Sequence, residues 1–165
     1  LKDSTIETYY QPVDQMLFTE ISSVFVFSMG FQWACVHMPK LFDLLCTIGS
    51  PAVSYDNVQL DHMINNLNKS CDKTLRSFYR QCFASLTDWQ WWKSVFLESH
   101  LNYNTSEQLI EWLDIYGRKS FSIPDKKNIS VWFNEHDSIG VKPEKDSLKL
   151  AELTHVQSGH IITPQ

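Results

Sequence analysis

Four cysteines form the most distinctive chemical pattern in the sequence. They fall in two pairs with equal spacing, Cys35 with Cys46 and Cys71 with Cys82, each eleven residues apart. Eleven residues of helix rise about 16 Å, whereas the Cα atoms of a disulfide lie within about 7 Å, so neither pair can close within one helix. If helices at 31–48 and 71–86 pack side by side, two bridges between them are expected. Parallel packing predicts Cys35–Cys71 and Cys46–Cys82, and antiparallel packing predicts Cys35–Cys82 and Cys46–Cys71.

The alternative is that the four cysteines are reduced, buried thiols that act as small apolar side chains. Three glycosylation sequons, at Asn68, Asn104 and Asn128, favour the secreted, disulfide-bonded alternative. Asn104 is also well placed to cap a helix. Both interpretations stay open at this point.

Motifs for metal binding and catalysis are weak or missing. Cys35, His37 and Cys46 lie near one another in the sequence, and His136 lies between two acidic residues, but no C-x-x-C or H-x-x-x-H pair occurs. The sequence contains no G-x-S-x-G, P-loop or glycine-rich phosphate cradle. We therefore predict no catalytic residues, no metal, no cofactor and a protein that is not an enzyme.

Two surface features could bind a partner. Lys69, Lys73, Arg76 and Arg80 step by four, three and four, which predicts a basic stripe that would attract an anion or would simply be solvated. The net charge of −5 makes nucleic acid an unfavourable main partner. Exposed aromatic residues are enriched at binding hot spots, which makes another protein the predicted partner. The candidate contacts are Trp91, Tyr103 and Trp132.

The central part of the chain predicts three consecutive helices. Apolar residues at i, i+3, i+4 and i+7 predict a helix over 71–86, and a second helix follows at 89–101. A capping box is predicted at the start of a third helix, formed by Asn104 or Thr105 with Glu107 or Gln108 three residues later. Gly117 would end this helix in a left-handed conformation.

The flanking regions complete the predicted elements. No charged residue occurs between Glu20 and Lys40, yet several polar residues interrupt this run, so we expect two core helices rather than a membrane span. Further helices are predicted at 40–48 and 56–67. Alternation of apolar and polar residues predicts a strand over 129–133, with a partner strand at 139–141, a short helix at 143–155 and a last strand at 160–163.

These elements predict a mainly α fold: a compact bundle of six or seven helices with a small C-terminal β hairpin. We expect a polar N-terminal arm (1–12), a helical core (13–123) and a mixed β/helix extension (124–165) packed on that core. Three helices followed by a hairpin is also the order of a winged-helix unit. Its recognition helix would carry an acidic outer face, which favours protein over DNA as the ligand.

The predicted function is a non-enzymatic scaffold or adaptor domain, a segment or subunit of a larger assembly in the nucleus or cytoplasm. The first alternative is a secreted or viral-surface glycosylated protein with two disulfides. The second is a protein that binds an anion or nucleic acid through the basic stripe. The oligomeric state is left open.

Overall fold

Four parallel β-strands form one sheet in the computed structural model, which describes residues 23–101, 105–157 and 159–161. The strands are β1 (Ser23–Phe27), β2 (Leu45–Gly49), β3 (Ile129–Asn134) and β4 (Glu152–Val156). They lie side by side in chain order, so every pair of neighbours along the chain is also a pair in the sheet. All four carboxyl ends therefore point to the same edge.

Five α-helices accompany the sheet within these described ranges. They are α1 (Met29–His37), α2 (Asn57–Lys69), α3 (Cys71–Gln81), α4 (Leu86–Leu101) and α5 (Ser106–Trp112). A π-helical turn (Leu113–Gly117) continues α5, and short 3₁₀ turns occupy Pro39–Asp43 and Lys145–Ser147. Helix α1 connects β1 to β2, whereas α2 to α5 form one long insertion between β2 and β3.

The prediction of a mainly α bundle is wrong, because three segments assigned to helices are strands. Two of them, β1 and β2, are rich in apolar residues, and β2 is paired on both sides. Because both runs are largely apolar, they lack the polar alternation typical of a half-exposed strand, and their periodicity resembles that of a buried helix. The third, β4, replaces the end of the predicted helix 143–155, whose earlier part contains only a short 3₁₀ turn.

The predicted C-terminal hairpin and the winged-helix alternative are wrong as well. Strand β3 pairs in parallel with β2 and with β4, rather than antiparallel with 139–141. Within that segment, Val141 forms an isolated antiparallel bridge to Ser54. A sheet that joins β1 and β2 to β3 and β4 also links the predicted helical core directly to the C-terminal extension. The predicted arm 1–12 lies outside the described residues.

Several local predictions are confirmed. Helix α2 and strand β3 lie where the sequence patterns place them. The capping box at Thr105 is present: its hydroxyl accepts from the Gln108 N–H, and the Gln108 side chain accepts from the Thr105 N–H. Gly117 is not left-handed, because the described glycine with positive φ is Gly140. Gly117 instead leaves room for Leu60, whose Cδ2 would lie 2.9 Å from an added Cβ.

The main core lies between α1 and the sheet. Phe31 and Ala34 of α1 are fully buried against Ile48 of β2 and Ile129 and Val131 of β3. This packing holds the start of α1 directly after the end of β1.

A second apolar layer joins the inserted helices. Leu60 and Leu67 of α2 pack with Leu75 of α3 and Leu113 of the π-helical turn. A third cluster, around Phe83 and Trp92, connects α3 and α4. Ile139 and Ile161, from the loops after β3 and β4, pack against this third cluster, so the insertion contacts the carboxyl edge of the sheet. Among the described helices, none is both long and apolar enough to cross a membrane.

Replacement of Val131 by alanine tests the placement of β3 inside the sheet. Val131 is fully buried, so Val131→Ala should lower the free energy of unfolding by about 2 kcal/mol through lost apolar burial and a residual cavity. The matched control is Val58→Ala on α2, where valine is 63 % exposed and the change should be near zero. Chemical denaturation measures both, and equal losses would contradict the described sheet.

Candidate active site

The turn between β1 and α1 carries a serine in an unusual backbone conformation. Ser28 has φ 52° and ψ −126°, in the positive-φ region that residues with a side chain rarely adopt. Its N–H donates to the Gly49 carbonyl at 3.1 Å, and its own carbonyl accepts from the Phe31 N–H at 3.1 Å. The turn is thus fixed on one side by the sheet and on the other by the first turn of α1.

The Ser28 hydroxyl is not used as a helix cap. Serine before a helix commonly accepts a hydrogen bond from the first turn, but no such bond forms at α1. Instead, the Ser28 Oγ lies 2.7 Å from the Nε2 of His160. The two residues are 132 positions apart in the chain, and the parallel sheet brings them together at its carboxyl edge.

His160 also contacts a carboxylate through its other ring nitrogen. Its Nδ1 lies 2.9 Å from the Oδ2 of Asp137, which follows β3. A carboxylate can only accept, so Nδ1 carries the hydrogen and Nε2 is left to accept the Ser28 hydroxyl proton. The His160 residue is only 3 % exposed, and the Phe27 ring lies 5.3 Å from its imidazole.

The Asp137 side chain is fully buried and strongly hydrogen-bonded. Oδ1 accepts from the Ile139 N–H at 2.8 Å, and Oδ2 accepts from the Lys142 ammonium at 2.6 Å as well as from His160. Burial alone would raise the pKa of Asp137, but the bond and charge of His160, then Lys142 and the Ile139 N–H, outweigh it and lower the pKa. Asp137 is therefore a carboxylate at neutral pH.

A buried polar cluster fixes the backbone of His160. The His160 carbonyl accepts from the Ser50 Oγ at 2.9 Å and from the Asn134 Nδ2 at 3.2 Å. Ser50 follows β2 and Asn134 ends β3, and these two side chains also contact each other. The ends of β2 and β3 thus position the histidine that the chain supplies after β4.

The loop that carries His160 also packs against the corner between α3 and α4. Ile161 donates its N–H to the Cys82 carbonyl at 3.0 Å. An added Cβ on Gly159 would lie 2.5 Å from that same oxygen and 2.7 Å from the Ala84 nitrogen. Only a glycine lets the two backbones approach so closely.

Groups suited to stabilise negative charge lie beside Ser28. The Met29 N–H is at the N-terminus of α1, where the free N–H groups and the helix dipole favour an anion. The Tyr55 hydroxyl lies near Ser28 and Gln32. Burial raises the pKa of Tyr55 to about 12, although these two polar neighbours act to lower it. Tyr55 therefore stays protonated and can donate a hydrogen bond.

The fold resembles that of an esterase. A solved structure of the esterase EaEST from Exiguobacterium antarcticum superposes with a TM-score of 0.61 at 12 % sequence identity. The match covers 84 % of this chain and 59 % of the esterase, so the chain spans about three-fifths of that protein's length. The sequence itself matches no family model and no curated protein.

The prediction of a non-enzymatic scaffold or adaptor is contradicted by this likeness and by the contacts of Ser28. A serine on a tight strand-to-helix turn, followed along the chain by an aspartate and then a histidine, is the arrangement of α/β-hydrolase active sites. Sequence reasoning missed it because Val26-Phe27-Ser28-Met29-Gly30 lacks the first glycine of G-x-S-x-G. The serine and the final glycine of that motif were the available signal.

Of the two interpretations of the cysteines, the structure contains the free thiols: Cys35, Cys46, Cys71 and Cys82 are all unbridged. The two bridges between helices required one helix over 31–48, whereas Cys35 lies on α1 and Cys46 on β2. Burial raises the pKa of Cys35 and Cys46 to about 11 and that of Cys82 to about 12.

The basic stripe is divided between two helices. Lys69 ends α2, and the other three residues lie on α3. Two of its charges have local partners: Arg76 forms an ion pair with Asp72 at 2.9 Å, and Arg80 donates to the Phe83 carbonyl. Anion binding by this stripe stays a prediction.

The two described aromatic anchors lie on different elements of the fold. Trp91 is 46 % exposed on α4, whereas Trp132 is half-buried on β3 with its ring 5.7 Å from that of Phe25. Tyr103 lies outside the described residues. Their role in partner binding stays a prediction. No group of three metal-ligating side chains occurs in the part of the chain that the structure describes.

Replacement of Gly159 by alanine tests the contact that positions His160. The added methyl group would overlap the Cys82–Ala84 backbone, so Gly159→Ala should lower the free energy of unfolding by about 1–3 kcal/mol. Gly30→Ala is the control, since an added Cβ there meets nothing within 4 Å. Thermal or chemical denaturation compares the two, and an unchanged stability for Gly159→Ala would contradict the contact.

Alkylation of the folded protein tests the thiol environments. Cys71 is only partly buried on α3, whereas Cys82 is buried with a pKa of about 12. Because the thiolate is the reacting form, Cys71 should react with iodoacetamide at pH 8 well before Cys82. Peptide mass spectrometry after timed quenching gives the order, and denaturation without reductant should expose four reactive thiols.

Proposed function

We propose that this protein is a serine hydrolase that cleaves ester bonds through an acyl-enzyme intermediate on Ser28. The observation that carries the proposal is the continuous hydrogen-bonded chain from Ser28 through His160 to Asp137, with distances of 2.7 and 2.9 Å. Buried Asp137 and the positive-φ turn at Ser28 are costly features that an ordinary structural role would not require. The esterase with the similar fold supports the substrate class.

In the proposed reaction, the Ser28 Oγ attacks the carbonyl carbon of the ester while its proton moves to the His160 Nε2. Asp137 holds the Nδ1–H and stabilises the imidazolium that forms. The tetrahedral intermediate then expels the alcohol, which takes the proton from Nε2. Water then attacks the acyl-enzyme carbonyl carbon while its proton moves to the His160 Nε2. The second tetrahedral intermediate releases the carboxylic acid, and the Nε2 proton returns to the departing Ser28 Oγ.

The developing oxyanion is expected to bind the Met29 N–H at the start of α1. Hydrolases with this arrangement use the N–H of the residue after the nucleophile together with a second N–H from a loop after an earlier strand. The Tyr55 hydroxyl is a further donor near Ser28. Preorganised donors of this kind contribute about 3–4 kcal/mol each to transition-state stabilisation.

Ser28→Ala tests the proposal directly. Loss of the nucleophile should lower kcat for p-nitrophenyl acetate by about 10⁴-fold or more, and Asp137→Asn should cause a loss of about 10⁴-fold by favouring the wrong histidine tautomer. Hydrolysis is measured by release of p-nitrophenol. In parallel, a fluorophosphonate probe should add one label to the wild-type protein, as seen by intact mass.

Ser94→Ala is the matched serine control. Ser94 is an exposed residue of α4 whose hydroxyl donates to the Trp91 carbonyl, away from the candidate site. This variant should keep wild-type hydrolysis and labelling. Full activity or full labelling in Ser28→Ala would refute the proposed function, provided that both variants unfold at the wild-type temperature.

A further inference from the structure

Lys142 adds a charge that the Ser28–His160–Asp137 arrangement does not itself require. Its ammonium contacts the Asp137 Oδ2 at 2.6 Å, the same oxygen that accepts from the His160 Nδ1. It also donates to the Ile139 carbonyl at 2.6 Å, and its side chain is 28 % exposed. Two bonds to one short loop hold the ammonium against the carboxylate.

The position of this cation has a definite electrostatic sign. Asp137 stabilises the protonated imidazole of His160, because opposite charges favour the charged form. Lys142 acts against this effect in two ways. Its positive charge offsets much of the negative charge of the carboxylate, and it repels a protonated His160, because both groups contact the same Asp137 oxygen. Lys142 therefore opposes the stabilisation of the imidazolium by Asp137.

We propose that Lys142 is a positioning residue that sets the pH at which His160 becomes a competent base. The catalytic meaning of this inference rests on the proposed hydrolase function. The contacts with Asp137 orient the carboxylate, and the positive charge limits how strongly that carboxylate favours the imidazolium.

Other titratable groups around His160 do not provide the same control. Ser28 contacts its Nε2, and Phe27 covers its ring from β1. The charge of Asp137 also acts on the side chains of Tyr55 and Cys82. Both have pKa values of about 12, so they stay neutral between pH 4.5 and 9. Asp137 and Lys142 are thus the charged groups in the described surroundings of the imidazole.

Lys142→Met should raise the pH at which His160 takes up a proton by about one unit. The acid limb of the kcat/KM profile should move upward by the same amount, which means about a tenfold loss of activity below that limb and little change on the alkaline plateau. Lys142→Arg keeps the charge and should restore the wild-type limb. Hydrolysis of p-nitrophenyl acetate between pH 4.5 and 9 gives the profiles.

Lys126→Met is the matched control, since it removes a lysine from an exposed ion pair with Asp43 at 2.7 Å and should leave the profile unchanged. A second readout, which needs no substrate, is the pH titration of the His160 ring by NMR, assigned from the signal missing in His160→Asn. An unshifted His160 titration in Lys142→Met would overturn the role of Lys142, as would an equal loss of rate at every pH. If the wild type showed no Ser28-dependent turnover but the titration moved, the proposed function would fail and the control by Lys142 would stand.

Discussion

The buried carboxylate of Asp137 is the constraint on which the rest of the site depends. A fully buried charge is tolerated only when hydrogen bonds and an opposite charge replace the lost water. Asp137 receives three donors, from Ile139, Lys142 and His160. The bonds from Ile139 and Lys142 fix the conformation of the loop after β3. The bond from His160 fixes the position of this histidine, which the chain supplies after β4. The ring of His160 in turn defines where the hydroxyl of Ser28 must lie.

The strained turn at Ser28 persists because the elements on both sides of it are held independently. Helix α1 is anchored by Phe31 and Ala34 in the main core, and β1 is paired with β2 along its length. The turn between them has no freedom to relax, since its N–H and carbonyl are both hydrogen-bonded. Positive φ at a residue other than glycine costs about 1–3 kcal/mol, which the packing of α1 and β1 offsets.

Sequence patterns predicted the parts of the fold whose signals are local. The apolar spacing of α2, the capping box at Thr105 and the alternation in β3 are properties of short segments, and the structure contains all three. Strands β1 and β2 were missed because their apolar runs carry no alternation, and β4 because its residues are mostly exposed at the edge of the described sheet. The predicted helix 40–48 satisfied helical spacing, yet Leu45 is exposed on β2.

The candidate active site could not be predicted in the same way, because its members are joined only by tertiary structure. Ser28 and His160 are 132 residues apart, and no spacing rule connects them before the order of the strands is known. Once the strands are known to be parallel and sequential, the segments that follow them are known to share one edge of the sheet, where the segment after β4 can reach Ser28 after β1. The missing information was therefore the order and direction of the strands, which no sequence motif supplies.

The contact between Gly159 and the α3–α4 corner has a consequence for how the inserted helices can move. The Cys82 carbonyl accepts the Ile161 N–H, so this corner and the segment that carries His160 share one backbone contact. The inserted helices cannot move away at this corner without displacing His160 from Ser28. A rigid-body motion of α3 and α4 that preserves the Ser28–His160 contact therefore has to hinge at Cys82.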